Sequence, residues 1–186
     1  MCYLIISKQN EKAAYKIGMV AGWLAVVLCV AYIFVLSLGD IFYDVLDELG
    51  IDTMARNFFY KHIISLTEFS PTFLGYGRGS VKVEMIKEFE PYTHVHSDII
   101  KMFFEIGFIP FLGWLMFTFV GLPYCFKKRY GKSAAVFCLL TEAYTLMLFL
   151  TDNTENYFVC IVIRCIMPMG YALLAGETQE NRIRRI

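Results

Sequence analysis

The chain is short of charge. Asp, Glu, Lys and Arg make up 18% of its 186 residues, where an ordinary soluble domain carries about 25%. It also lacks an excess of either sign, since Lys+Arg and Asp+Glu are equal at 17 each. With no net positive charge to neutralise phosphates, nucleic acid is excluded as a partner. Cysteine is missing from the whole stretch 39–98, and none of the six cysteines forms a C-x-x-C pair. That excludes a disulfide framework, a Cys-based zinc site and a thioredoxin-like redox motif. Five of the six lie in or beside apolar runs and read as buried apolar side chains. What the chain has instead is apolar residues, 58% of the total with 17 Phe and 12 Tyr, and a mean hydropathy of +0.54. A disordered or collagen-like chain is excluded by that composition.

The apolar residues come in four blocks. Residues 17–38 run for 22 positions without a charge, and a membrane-spanning helix needs about 20. This block exceeds the roughly 7–15 residues of a signal-peptide core and lacks a small-residue cleavage site, so it is expected to stay in the membrane. The second block is 99–126, carrying Lys101 and Glu105 in its first turns; the third is 134–151, interrupted by Glu142; the fourth is 157–176, interrupted by Arg164. The fold class expected is therefore an all-α polytopic membrane protein with four transmembrane helices and a long extracytoplasmic loop that carries short amphipathic helices. Basic residues orient it. Segment 127–133 contains Lys127, Lys128, Arg129 and Lys132 without an acid, the tail 177–186 ends in NRIRRI, and the flank 1–16 carries Lys8, Lys12 and Lys16. Positively charged loops stay cytoplasmic, so both termini and 127–133 are expected inside, with 39–98 and 152–156 outside. The outer loop 39–98 holds ten acids against five bases, in keeping with that asymmetry. The opening MCYLIIS reads as the end of an earlier apolar segment, which makes the chain the expected C-terminal portion of a longer protein.

Within the outer loop, 42–49 reads as a short amphipathic helix ended by Gly50, a usual residue after a helix C-terminus. Asp52 or Thr53 can cap a second helix running to about Glu68, with Met54, Phe58, Ile63 and Leu66 as its apolar face. Both are expected to lie along the membrane interface. Ser70-Pro71 stops the second helix, the three-glycine turn Gly75-Tyr76-Gly77-Arg78-Gly79-Ser80 follows, and a Lys- and Glu-rich segment leads to Tyr92-Thr93-His94-Val95-His96-Ser97-Asp98.

Chemistry concentrates at this outer mouth. His94, His96 and Asp98 alternate, and on an extended segment all three would point to one side. That pattern suits a metal site; it also suits three polar residues at an interface; and a histidine near neutral pKa suits a general base. The glycine turn departs from the G-x-x-x-x-G-K-[ST] pattern, so it is either a plain turn or a set of backbone N–H groups offered to an anion. Arg56 and Arg78 are either solvated or hold a diphosphate through forked hydrogen bonds. Glu142 lies nine residues before Thr151 and Arg164 seven after Tyr157. At about 1.5 Å per residue those depths agree within a turn, so the two are expected to form a structural ion pair, or else Arg164 reaches a lipid-linked phosphate.

Taken together these pieces resemble the O-antigen polymerase and O-antigen ligase superfamily. The segments that carry the likeness are Met54-Ala55-Arg56-Asn57-Phe58-Phe59-Tyr60, Phe73-Leu74-Gly75-Tyr76-Gly77, and His96-Ser97 followed nine residues later by Gly107. The ligase pattern ends in Gly, Thr or Tyr where this chain has Pro110, which favours the polymerase branch. Thr151-Asp152-Asn153-Thr154 resembles an outer-loop motif of capsule and repeat-unit polymerases. The resemblance implies glycosyl transfer from a polyprenyl-diphosphate-linked oligosaccharide at the outer face of the bacterial plasma membrane, without metal or cofactor. It implies His96 as the base, with Arg56, Arg78, Gly75, Gly77, His94, Asp98, Asp152 and Asn153 around the substrate. The partners implied are the lipid-linked glycan, membrane lipid and other polysaccharide-assembly proteins. A transporter or channel subunit, whose charges line a path, and a non-catalytic membrane partner are the readings from other classes.

Overall fold

The computed structural model describes residues 10–39, 45, 48–50, 56–151 and 158–183, and their regular structure is helical throughout. Within the described residues the bounded elements are α1 (Glu11–Ser37), α2 (Arg56–Ser65), α3 (Ser80–Phe89), α4 (Asp98–Ile106), α5 (Phe108–Met116), a π-helical turn (Phe117–Gly121), α6 (Leu122–Tyr130), α7 (Lys132–Thr151) and α8 (Phe158–Ile183). They sort into two units. One, the span unit, comprises 1–26, 115–147 and 157–186; the other, the loop unit, comprises 27–114 and 148–156.

Among the described residues three helical stretches are long and apolar enough to cross a membrane: Glu11–Ser37, Phe108–Tyr130 and Lys132–Leu150. Helix α8 contributes a shorter apolar stretch, Ile161–Leu173. On α1, Ile17 and Val20 are about 70% exposed and Leu24 more than half exposed. Such a face is unfavourable in water and neutral in hydrocarbon, which is the mark of a membrane helix.

In the span unit, α1 closes on its neighbours through small residues. A Cβ at Gly18 would stand 2.8 Å from Leu139 Cδ1, and one at Gly22 would strike the Phe119 carbonyl oxygen. Small side chains let membrane helices approach this closely. The Phe119 carbonyl has a local cause. Pro123, four residues on, has no N–H to offer it, and the chain widens there into the π-helical turn, closed by Leu122 N–H to Phe117 O. At one end Glu11 Oε1 accepts from Ser133 N (3.0 Å) and Ser133 Oγ (2.9 Å), placing a carboxylate at the N-terminus of α7, where the helix dipole favours it.

The second expected span changes. Residues 99–126 do not form one helix: α4 ends at Ile106, Gly107 takes φ +79°, and the apolar helix restarts at Phe108 and continues to Tyr130. Pro110 explains the break, because a continuous helix would need its missing N–H and would press its ring on the Ile106 carbonyl. In the first turn of α5 the same proline costs nothing. Lys127, Lys128 and Arg129 accordingly end α6 rather than form a loop, and Gly131 alone separates α6 from α7. Among the cysteines, Cys29 and Cys138 are buried, whereas Cys125 and Cys165 are exposed, because their helices leave those faces uncovered.

The loop unit is built around α4. Ser97 caps it, its Oγ accepting Ile100 N–H at 3.4 Å. Phe103, 1% exposed, packs edge-on to Phe111 at 5.5 Å and tilted against Phe73 at 5.4 Å. Helix α2 buries Phe59, Ile63 and Ile64, and leaves Phe58 70% exposed. The expected face through Phe58 is thus turned by one residue, so that Phe59 meets Phe89 and Tyr92. Helix α2 also stops at Ser65, before the expected Glu68. Its expected caps, Asp52 and Thr53, and most of the 42–49 segment lie outside the described residues; Gly50 has φ +64°. Charge content makes the stretch after the glycine turn no more than a Lys- and Glu-rich segment, yet Ser80–Phe89 forms α3, with Val81 and Met85 buried one turn apart.

Candidate functional site

The glycine turn docks on the end of α4. Tyr76 N–H bonds to Phe104 O (3.0 Å), Gly77 N–H to Glu105 O (2.9 Å), and Phe108 N–H to Phe73 O (2.9 Å). The first two satisfy helix-end carbonyls that α4 leaves open, and the third satisfies the Phe73 carbonyl from the start of α5. The fit is close enough to require glycine on both sides: a Cβ at Gly75 would stand 2.6 Å from Glu105 O, a Cβ at Gly107 2.5 Å from Phe73 O, and both residues have φ +79°. Farther along the turn, Gly79 N–H donates to Glu105 Oε1 at 2.9 Å. The N–H groups of Tyr76, Gly77 and Gly79 are thus engaged by α4.

Beside this junction lies a pocket of about 190 Å³ lined by Arg78, Lys82, His94, Lys101 and Glu105, with Gly79, Val81, Thr93 and Val95. Three cationic side chains and a histidine face one carboxylate. Glu105 is 3% exposed. Lys101 and Glu105, expected inside a span, instead belong to α4, outside the three apolar stretches, and Glu105 ties the turn to the pocket wall.

The two histidines part company here. His94 lines the pocket. His96, half-buried, has φ +56°, an uncommon value outside glycine in which histidine is over-represented. Its carbonyl accepts the Tyr60 hydroxyl at 2.9 Å. The expected one-sided row of His94, His96 and Asp98 is therefore broken: the left-handed residue ends the extended alternation, and Asp98, 1% exposed, is already the first residue of α4. Among the described residues no group of three His, Cys, Asp or Glu is placed to hold a metal ion.

Arg56 begins α2 and is not among the residues lining the pocket. It acts on Tyr60 one turn along, where burial raises the phenol above its ordinary value and the Arg56 guanidinium opposes that rise. Helices α2 and α3 are tied by His62 Nε2 and Glu84 Oε1 at 3.3 Å, with Lys87 Nζ 3.2 Å from the same oxygen. The Lys87 hydrogen bond, and then that of His62, hold the Glu84 carboxyl below its ordinary range. Asp152 and Asn153 lie outside the described residues.

In the span unit Arg164 meets Glu142, with Nε at 3.0 Å and Nη2 at 2.8 Å from the same Oε2. Glu142 is 2% exposed.

The sequence reading brings Arg78, His94 and the glycine turn to one place, but it misses Lys82 and Thr93. The available signal was the Val81/Met85 spacing, which makes 80–89 a helix and sets Lys82 beside Val81 at its start. Compared with family models, curated proteins and solved structures, the chain matches none of them.

Proposed function

We propose that this chain carries the outer-face site of a glycosyl transfer from a polyprenyl-diphosphate-linked oligosaccharide at the bacterial plasma membrane, acting as a repeat-unit polymerase of the O-antigen polymerase and ligase type. The observation that carries the reading is the pocket in which Arg78, Lys82 and Lys101 outnumber the single carboxylate of Glu105. A diphosphate leaves as an anion, so its departure is helped by preset cations rather than by a protonating acid. Thr93, His94 and Val95 form one wall, and His96 follows directly in the chain. A histidine there is suited to take the acceptor hydroxyl's proton. The three apolar stretches supply the membrane setting that a lipid-linked donor requires.

The accompanying topology has four spans, the fourth drawn from α8, both termini cytoplasmic and residues 39–98 and 152–156 outside. Cysteine labelling in a Cys-free background is expected to reach Ser80→Cys from outside and to miss Ser133→Cys. The opposite pattern would overturn the outer-face site.

The chemistry is tested by polymer length on a gel, in membranes from the complete reading frame. His96→Ala is expected to lower polymer assembly by about 10²–10⁴-fold, the range for a lost general base. Arg78→Ala is expected to weaken donor binding as well, because that contact exists before the transition state. Normal polymer from His96→Ala together with none from His94→Ala would move the base to the residue that lines the pocket. Activity removed by a chelator and restored by a divalent ion would replace the base with a metal held by this segment.

A further inference from the structure

We infer that Glu105 is a positioning residue that sets Arg78 in the cationic pocket, an inference that rests on the diphosphate reading of that pocket. Glu105 holds the glycine turn twice. Its main-chain carbonyl accepts Gly77 N–H at 2.9 Å, and its carboxylate Oε1 accepts Gly79 N–H at 2.9 Å. Arg78 is the single residue between those two anchors, and it lines the same pocket as Glu105. Upstream, Tyr76 N–H on Phe104 O and the Gly75–Gly107 contact extend the same seam. The residues on both sides of Arg78 are thus each bonded through their N–H to Glu105 before any ligand arrives, which removes an ordering cost from binding.

Charge alone assigns Glu105 the opposite role. A buried carboxylate among three cations repels an incoming anion, so deleting it would tighten anion binding at every substitution. Position predicts a split by substitution. Glu105→Gln removes the charge and keeps an oxygen that can accept Gly79 N–H. Glu105→Ala removes both, and frees the turn at Arg78.

The experiment is titration of the full chain in detergent with inorganic pyrophosphate at fixed salt, read as Kd. Glu105→Gln is expected to bind as tightly as the unsubstituted protein or more tightly. Glu105→Ala is expected to bind about tenfold more weakly, equivalent to about 1.4 kcal/mol. In an Arg78→Ala background the same Glu105→Ala change is expected to have little further effect, since it acts through the arginine. Should Glu105→Ala fail to fold, Glu105→Met, which keeps side-chain bulk without an oxygen, carries the same expectation. Tighter or unchanged binding by Glu105→Ala would overturn the positioning role and leave the pocket reading standing. A full tenfold loss in the Arg78→Ala background would also overturn it, because Glu105 would then act elsewhere. Absence of pyrophosphate binding by the unsubstituted protein, or unchanged binding by Arg78→Ala, would remove the diphosphate reading and this inference together.

Discussion

The span unit and the loop unit treat charge in opposite ways. In the span unit one buried acid meets one base, and two nitrogens of Arg164 converge on a single oxygen of Glu142. In the loop unit one buried acid faces Arg78, Lys82 and Lys101 around a pocket, and its carboxylate is engaged by a backbone N–H. A closed pair between apolar helices has settled its electrostatics internally, and its removal is a matter of stability. A pocket with more cations than carboxylates favours an added anion, so its substitutions should be read in binding. The same residue types therefore carry different meanings in the two places.

The closed side is the easier one to break. Arg164→Met leaves Glu142 as an uncompensated buried charge, and the expected loss is roughly 3–5 kcal/mol by soluble precedent. Adding Glu142→Gln should recover much of that, as measured by unfolding in detergent. Additive losses from the two changes would show that the pair contributes nothing as a pair.

A smaller effect is expected where the glycine turn meets α4. Gly75→Ala puts a Cβ 2.6 Å from Glu105 O and 2.7 Å from Ile106 C, at φ +79°. Backbone atoms on both sides leave little to yield, so the expected cost is about 1–3 kcal/mol. Pyrophosphate affinity should fall with it, because the seam also frames Arg78. A Gly75→Ala protein that unfolds earlier yet binds pyrophosphate normally would separate the frame from the pocket.

The smallest effect concerns Glu84, a surface charge tied to both Lys87 and His62. Its folded-state pKa lies below the ordinary 4.5. The unfolded chain therefore takes up the proton first as pH falls, so the contribution of Glu84 is present above about 4.5 and lost below it. Denaturation followed from pH 6 downward should show a shallower acid-side loss of stability in Glu84→Gln than in the unsubstituted protein. Parallel curves would mean that the α2–α3 tie adds nothing measurable.

How far the sequence could be read depends on what kind of interaction each feature needs. The Glu142–Arg164 contact follows from rise per residue along two apolar helices, so position in the chain is enough to bring the two to matching depth. The break in 99–126 was present in Gly107 and Pro110, but a hydropathy window averages over such residues and joins α4 to the span behind it. Likewise, alternation along 94–98 presumes an extended backbone, and the left-handed turn at His96 removes that premise. The apolar face of α2 shifts from Phe58 to Phe59 because the partners that decide it, Phe89 and Tyr92, are about thirty residues away in the chain.

Sequence alone determined that this protein is helical and carries apolar stretches suited to a membrane, because hydrocarbon obliges each segment to satisfy its own backbone hydrogen bonds within its own length. Only the tertiary structure decided which charges share a pocket. Arg78 shares its pocket with Lys101 and Glu105 through a junction that joins residues 26 positions apart, Gly79 to Glu105. That junction depends on two glycines meeting without side chains, a steric condition between distant segments that no local pattern of residues expresses.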